Sequence, residues 1–160
     1  MSKQLFSEMA LKAWHSTVKR TNEIFDELSD EEIKKEIAPN KNRAIYILGH
    51  LVAVNDMMLP LLDLGESQFP KLLDIYLKNP DNLANDEFTI KELREFWNTS
   101  NATLSNAFTK LTENQWFEKH TKVSDEDFAT APHRNKLNLL MSRTSHLSYH
   151  QGQLILMKKK

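Results

Sequence analysis

The sequence predicts an all-α fold, a four-helix bundle, on three observations. Only three glycines occur in 160 residues, and Leu, Lys, Glu, Asn and Ala dominate, a composition that favours helix. Apolar residues recur with a helical period over four long stretches, while strand-like alternation of Val, Ile and Thr is scarce. Two boxes of the Ser/Thr-x-x-Glu kind, Ser29 to Glu32 and Thr89 to Glu92, mark helix starts.

The first helix is predicted from about Ser2 to Leu28, with Leu5, Met9, Ala13, Thr17, Ile24 and Leu28 close to one face and Phe6, Trp14, Val18 and Phe25 beside them. The Ser29 box opens a short helix reaching toward Ile37, and Pro39 stops it. A second helix follows from about Lys41 to Leu62. It is apolar on nearly every side, from Ile45 through Met58, and a helix apolar all round is a buried one. Pro60 should kink or end its last turn, and Gly65 fits a C-terminal stop. Residues 66–88 read as a long connection, with Lys71 to Lys78 able to form one or two turns. The run from Asn79 to Asn82 argues against regular structure at its end. The third helix runs from Thr89 to about Leu111 on Ile90, Leu93, Phe96, Trp97, Leu104, Ala107 and Phe108. Thr112 to Gln115 begins a short turn, and residues 118–133 are polar enough to be a loop. The fourth helix runs from about Arg134 to Met157 on Leu137, Leu140, Met141, Thr144, Leu147, Leu154 and Ile155. Residues 1–160 thus read as a single domain, with long connections between helices one and two and between two and three.

Composition excludes several classes. Lys plus Arg is 21 against 22 Asp plus Glu, so no surplus of positive charge exists to neutralise a phosphate backbone, and no nucleic-acid partner is expected. The Lys158-Lys159-Lys160 run reads as favourable charge at a helix C-terminus. There are no cysteines, which rules out disulfides, cysteine-ligated zinc and a thiol nucleophile from the protein, and fits a cytoplasmic location. Residues 1–14 read as an amphipathic helix rather than a secretory leader. The most apolar stretch, Ala44 to Leu62, is broken by His50, Asn55, Asp56 and Pro60, so no membrane span is expected.

The residues that carry chemistry are histidines. His146 and His150 are four apart, which places both imidazoles on one helical face about 40° apart. They lie beside the Leu140, Leu147 and Leu154 stripe, so they point at or beside the core. Gln153 lies on the same face one turn on and could orient a ligand or a bound water; Gly152 could admit a close neighbour. Two histidines seldom hold zinc tightly, so a third ligand is required. His50 is the candidate, because an unpaired ring inside the most buried helix costs free energy, and Gly49 beside it suggests a closely approaching neighbour. Bundle metal sites draw ligands from different helices in this way. No glutamate has a histidine three residues later, so the di-iron carboxylate pattern is absent, and there is no Gly-rich phosphate loop. His15, His120 and His133 have the plainer reading of polar-face or loop residues, with His133, just before the fourth helix, the nearest to a supporting or lid role. Tyr149, Asp56 and His133 are the candidates for a general base; Gln153 cannot be one.

With Asn42-Arg-Ala-Ile-Tyr-Ile-Leu-Gly-His-Leu in the second helix and His146-Leu-Ser-Tyr-His-Gln-Gly-Gln in the fourth, the chain resembles the DinB superfamily, also called DinB/YfiT-like. The pairing of a GHL-like segment with H-x-x-x-H-(R/Q)-G-Q at this separation carries the resemblance over nearly the whole chain. It implies a DinB/YfiT-like four-helix bundle with a three-histidine metal site of His50, His146 and His150, zinc or nickel as the metal, and a homodimer. It also implies that relatives include thiol transferases using a low-molecular-weight thiol such as bacillithiol or mycothiol, and a mycothiol-dependent isomerase. Gln151 stands where arginine is frequent in the family, which weakens any anion or salt-bridge role at that position. Two functions remain open at the level of sequence: a metal-dependent transferase or hydrolase acting on a small molecule, and a non-catalytic metal-binding bundle of the stress response.

Overall fold

The computed structural model describes residues 2–81 and 87–158. The first helix, α1 (Lys3–Glu27), is capped by the Ser2 hydroxyl, which accepts from the Leu5 amide at 3.3 Å, and it buries Trp14, Thr21, Ile24 and Phe25. The Ser29 and Thr89 capping boxes both form, opening α2 (Asp30–Ile33) and, further along, α6 (Ile90–Phe108). Between them lie α3 (Ala44–Asp56), α4 (Met58–Leu61) and α5 (Pro70–Leu73), the last passing directly into a π-helical turn, Asp74–Lys78. The chain ends with α7 (Asp125–Thr130), α8 (Lys136–Leu154) and a 3₁₀ turn, Ile155–Met157. Among the described residues there is no strand, only the isolated bridges Glu36 to Arg43 and Lys119 to Asn135.

The boundaries differ from the sequence expectation for identifiable reasons. The predicted second helix breaks at Met57 because Pro60 has no N–H to give the carbonyl of Asp56, four residues back. Asp63, with φ 59°, takes the left-handed position after α4 that Gly65 was expected to serve. Residues 118–133 are not wholly a loop, since Ser124 caps α7 by accepting from the Asp127 amide. That helix buries nothing, so no apolar period could announce it. Residues 82–86, at the end of the 66–88 connection, and the last two lysines of the C-terminal run lie outside the described residues.

Four helices of 13 to 25 residues, α1, α3, α6 and α8, build the core. Helix α1 packs on α8, α3 on α6, and α3 also meets α8. The ring closes between α1 and α6, where the Trp97 indole donates to Asn22 at 2.6 Å and sits edge-on to Phe25. Leu48, Leu51, Val52, Leu93, Leu104, Leu140 and Leu147 fill the centre. The stretch Ala44–Leu61 is long and apolar enough to cross a membrane, but 78% of it is buried inside the fold, so core packing accounts for its apolarity.

Candidate metal centre

Helices α3 and α8 bring His50, His146 and His150 together at the bundle's interior edge. His146 Nε2 lies 3.1 Å from His50 Nε2 and 3.1 Å from His150 Nε2. The three ligating atoms all fall within 4.8 Å of one another.

Hydrogen bonds decide the tautomers. His50 Nδ1 is 2.9 Å from the Tyr76 carbonyl, which can only accept, so Nδ1 carries the proton and Nε2 presents a lone pair. His150 Nδ1 is 2.7 Å from Gln153 Oε1, and the other end of that amide donates to the Tyr149 hydroxyl at 3.0 Å. His150 Nε2 is therefore also a lone pair. His146 Nδ1 is buried without a partner, so its proton position is set by no neighbour. A proton on His146 Nε2 can serve one of the two facing lone pairs but not both. One cation at the shared point would satisfy all three nitrogens.

Size and charge also fit a metal. His50 Nε2 and His150 Nε2 each lie 3.1 Å from His146 Nε2, inside the separation that two nitrogens sharing one ion at about 2.0–2.1 Å would allow. Burial, mutual repulsion with His150 and His50, and the charge of Arg143 hold His146 down to about 4. Burial holds His150 down to about 4 as well, against the opposing hydrogen bond that its Nδ1–H donates to Gln153 Oε1. Burial lowers His50, opposed by its bond to Tyr76 and helped by Arg143. Neutral imidazoles are the form that binds metal.

The surroundings are built from the π-helical turn. Tyr76 is the middle residue of that five-residue turn, and its carbonyl accepts from His50 Nδ1. The turn is held down at its far end. The Tyr46 hydroxyl donates to the Asn79 carbonyl at 2.6 Å, and Asp81 binds both the Arg43 guanidinium and the Arg43 amide at the start of α3. Tyr46 in turn stacks on His50 with an interplanar angle of 12°. Gly49 lets the Tyr76 ring lie against α3: a Cβ there would come within 2.6 Å of the ring.

Gln153 and Tyr149, expected beside the site, form the chain of contacts behind His150, with Tyr149 63% exposed. His133 is exposed on the segment before α8 and, among the described residues, makes no hydrogen bond or ring contact to the three histidines. Asp56 is buried and committed elsewhere: its carboxylate accepts from the Ser67 hydroxyl and from the Gln68 and Phe69 amides at 2.8 and 2.9 Å. It holds a loop and is not placed to act as a base. Sequence reasoning missed Tyr76, whose contribution is a backbone carbonyl and leaves no residue-type signal. It also missed Arg143, three residues before His146 and so on the same helical face, which spacing alone could have shown. The family model described as the DinB family matches residues 1–160. A search of curated proteins found no match.

Proposed function

The chain belongs to the DinB family, and from that premise we propose that it is a divalent-metal-dependent enzyme acting on a small molecule. The observation that carries this reading is the convergence of the Nε2 atoms of His50, His146 and His150, two of them fixed as lone pairs by bonds on the far side of the ring. Three neutral protein ligands are the usual complement of a catalytic zinc, which keeps a further position for a reactant, whereas structural sites are closed by a fourth protein ligand. Among the described residues no carboxylate or further histidine joins the three. A zinc or nickel ion held there would supply the positive charge that keeps a thiol or a water deprotonated near neutral pH.

The protein's own residues do the positioning. Tyr76 and Gln153 orient His50 and His150, and Tyr46 and Tyr149 flank those rings. We favour transfer of a low-molecular-weight thiol over hydrolysis. Of the expected bases, Asp56 is engaged with Ser67, Gln68 and Phe69, His133 makes no contact with the three histidines among the described residues, and Tyr149, the one beside His150, has its hydroxyl bonded by Gln153; a thiol needs less help than water to lose its proton. We further propose a cytoplasmic homodimer through α1 and α8. Their outer faces expose Phe6, Met9 and Met141 around an apolar groove of about 340 Å³, the kind of surface a two-fold contact covers.

The test is metal analysis of protein purified without an affinity tag, followed by a screen of thiols against electrophilic acceptors. Stoichiometric zinc or nickel with metal-dependent thiol consumption is the expected result. Stoichiometric metal, helicity that collapses on chelation and no turnover would instead mark a structural ion.

A further inference from the structure

Arg143 stands out among the arginines. Arg43, Arg94 and Arg134, the others that are not fully exposed, each engage an acceptor: Asp81, the Phe25 and Leu28 carbonyls, and Asp127. Arg143 is half-buried on α8, and its Nε is buried without an acceptor. Among the described residues it makes no hydrogen bond or ion pair at all. A guanidinium taken part-way out of water normally finds an oxygen partner, because desolvating it unpaired is costly.

Its position gives that vacancy a use. Arg143 precedes His146 by three residues and His150 by seven, so all three share one face of α8, and neighbours at i,i+3 have Cβ atoms about 5–6 Å apart. Arg143 therefore stands half-buried on the helix face that carries two of the three imidazoles, and among the described residues no acidic group pairs with it.

We propose that Arg143 is the anion-binding arm of the three-histidine site, accepting the carboxylate of a short substrate whose other end reaches the converging Nε2 atoms. This rests on the reading of the site as a metal centre for the second contact only. The planar fork of a guanidinium matches a carboxylate with two parallel hydrogen bonds. A single uncompensated charge, with Arg134 already paired to Asp127, suits a monoanionic carboxylate better than a phosphate dianion. The substrate class is thus a small carboxylic acid bearing a thiol or hydroxyl a few bonds from the carboxylate.

The experiment follows the Nε–Hε resonance of Arg143 in the ¹⁵N-labelled full chain, assigned by its loss in Arg143→Gln. It is titrated with 3-mercaptopropionate, 2-mercaptoethanol and inorganic phosphate, metal-free and after zinc loading, with zinc content measured alongside. The expected result is that 3-mercaptopropionate moves the resonance in both states, and more tightly with zinc, while 2-mercaptoethanol does not move it. In the zinc protein, Arg143→Gln should lose roughly tenfold or more of the preference for 3-mercaptopropionate over 2-mercaptoethanol, with zinc stoichiometry intact and a melting temperature unchanged or higher. Arg143→Lys should recover part of the preference. An unmoved resonance, an equal preference in Arg143→Gln, or tighter binding of phosphate than of the carboxylate overturns the proposal. A marked fall in melting temperature for Arg143→Gln with the thiol preference retained assigns the residue a structural role and overturns it too. Failure to retain zinc sinks the metal reading alone, because the metal-free titration still reports on Arg143.

Discussion

Gly49→Ala should damage the protein at a place that looks harmless in sequence. Alanine in a helix interior is ordinarily worth about 0.5–1 kcal/mol over glycine. Here the added Cβ would lie 2.6–2.7 Å from three carbons of the Tyr76 ring, well inside the 3.5–4.0 Å at which carbon atoms rest. The ring, only 2% exposed, must retreat by on the order of 1 Å into a close-packed interior. Overpacking of this kind costs about 1–3 kcal/mol, so a net loss of about 1–2 kcal/mol is expected after the helix gain. For a chain of this size that is a fall of roughly 2–8 °C in melting temperature. The backbone of Tyr76 travels with its ring, and its carbonyl is the acceptor that orients His50 at 2.9 Å. Disturbing the outer partner of a metal-binding histidine typically costs about 10–100-fold in metal affinity. Thermal melts of the metal-free protein and zinc competition against a chelator read the two effects separately. Gly152→Ala is the control, because nothing lies within 4 Å of a Cβ there, and it should stabilise by several tenths of a kcal/mol. If Gly49→Ala also raises the melting temperature and leaves zinc affinity intact, the coupling between Gly49, Tyr76 and His50 is wrong.

Further substitutions probe the same site and its surroundings. His146→Ala should abolish stoichiometric metal binding while far-ultraviolet circular dichroism stays native, since apolar helix faces rather than an ion supply the core; unchanged metal content would rule out the ligand set. The melting temperature of metal-loaded wild type should exceed that of His146→Ala by more than the metal-free proteins differ, because a ligand bound only by the native state stabilises it. Gln153→Leu, which leaves the His150 Nδ1–H without its acceptor at 2.7 Å, should weaken zinc binding by about 10–100-fold with little change in helicity; equal affinity would mean that Gln153 orients nothing. Met141→Asp, on the exposed apolar groove between α1 and α8, should convert a dimer to an 18.7 kDa species in sedimentation equilibrium. An 18.7 kDa wild type would remove the proposed assembly.

The long helices were readable because their signals are local and redundant. Thr89 with Glu92 starts α6, a Leu/Ile/Trp stripe carries it, and each mark agrees with the next. The same reasoning failed where an element owes nothing to an apolar stripe. Helix α7 rests on the Ser124 cap and buries no residue, so its polar composition looks like loop. The π-helical turn at Asp74–Lys78 departs from α geometry by one hydrogen-bond register. Its buried Ile75 and Tyr76 indicate helix without indicating which kind.

At the site, the division between readable and unreadable follows the chemistry of each contact. His146 and His150 could be paired from their spacing alone, because one helix fixes their relative position. Uniting them with His50 needed an argument about cost, that a ring inside an apolar helix requires a partner, and the 3.1 Å approach of His50 to His146 supplies that partner. What spacing could not reach is the set of groups that decide how those rings are protonated. The Tyr76 acceptor is a main-chain oxygen 26 residues from His50, delivered only because Gly49 permits the ring of Tyr76 to lie flat on α3. Gly49 was legible as a close approach, but its partner was not. The consequence is that the least chemically distinctive residue of the Gly49-His50 pair controls the more distinctive one: glycine sets where Tyr76 rests, Tyr76 sets the tautomer of His50, and that tautomer sets which nitrogen faces the other two histidines.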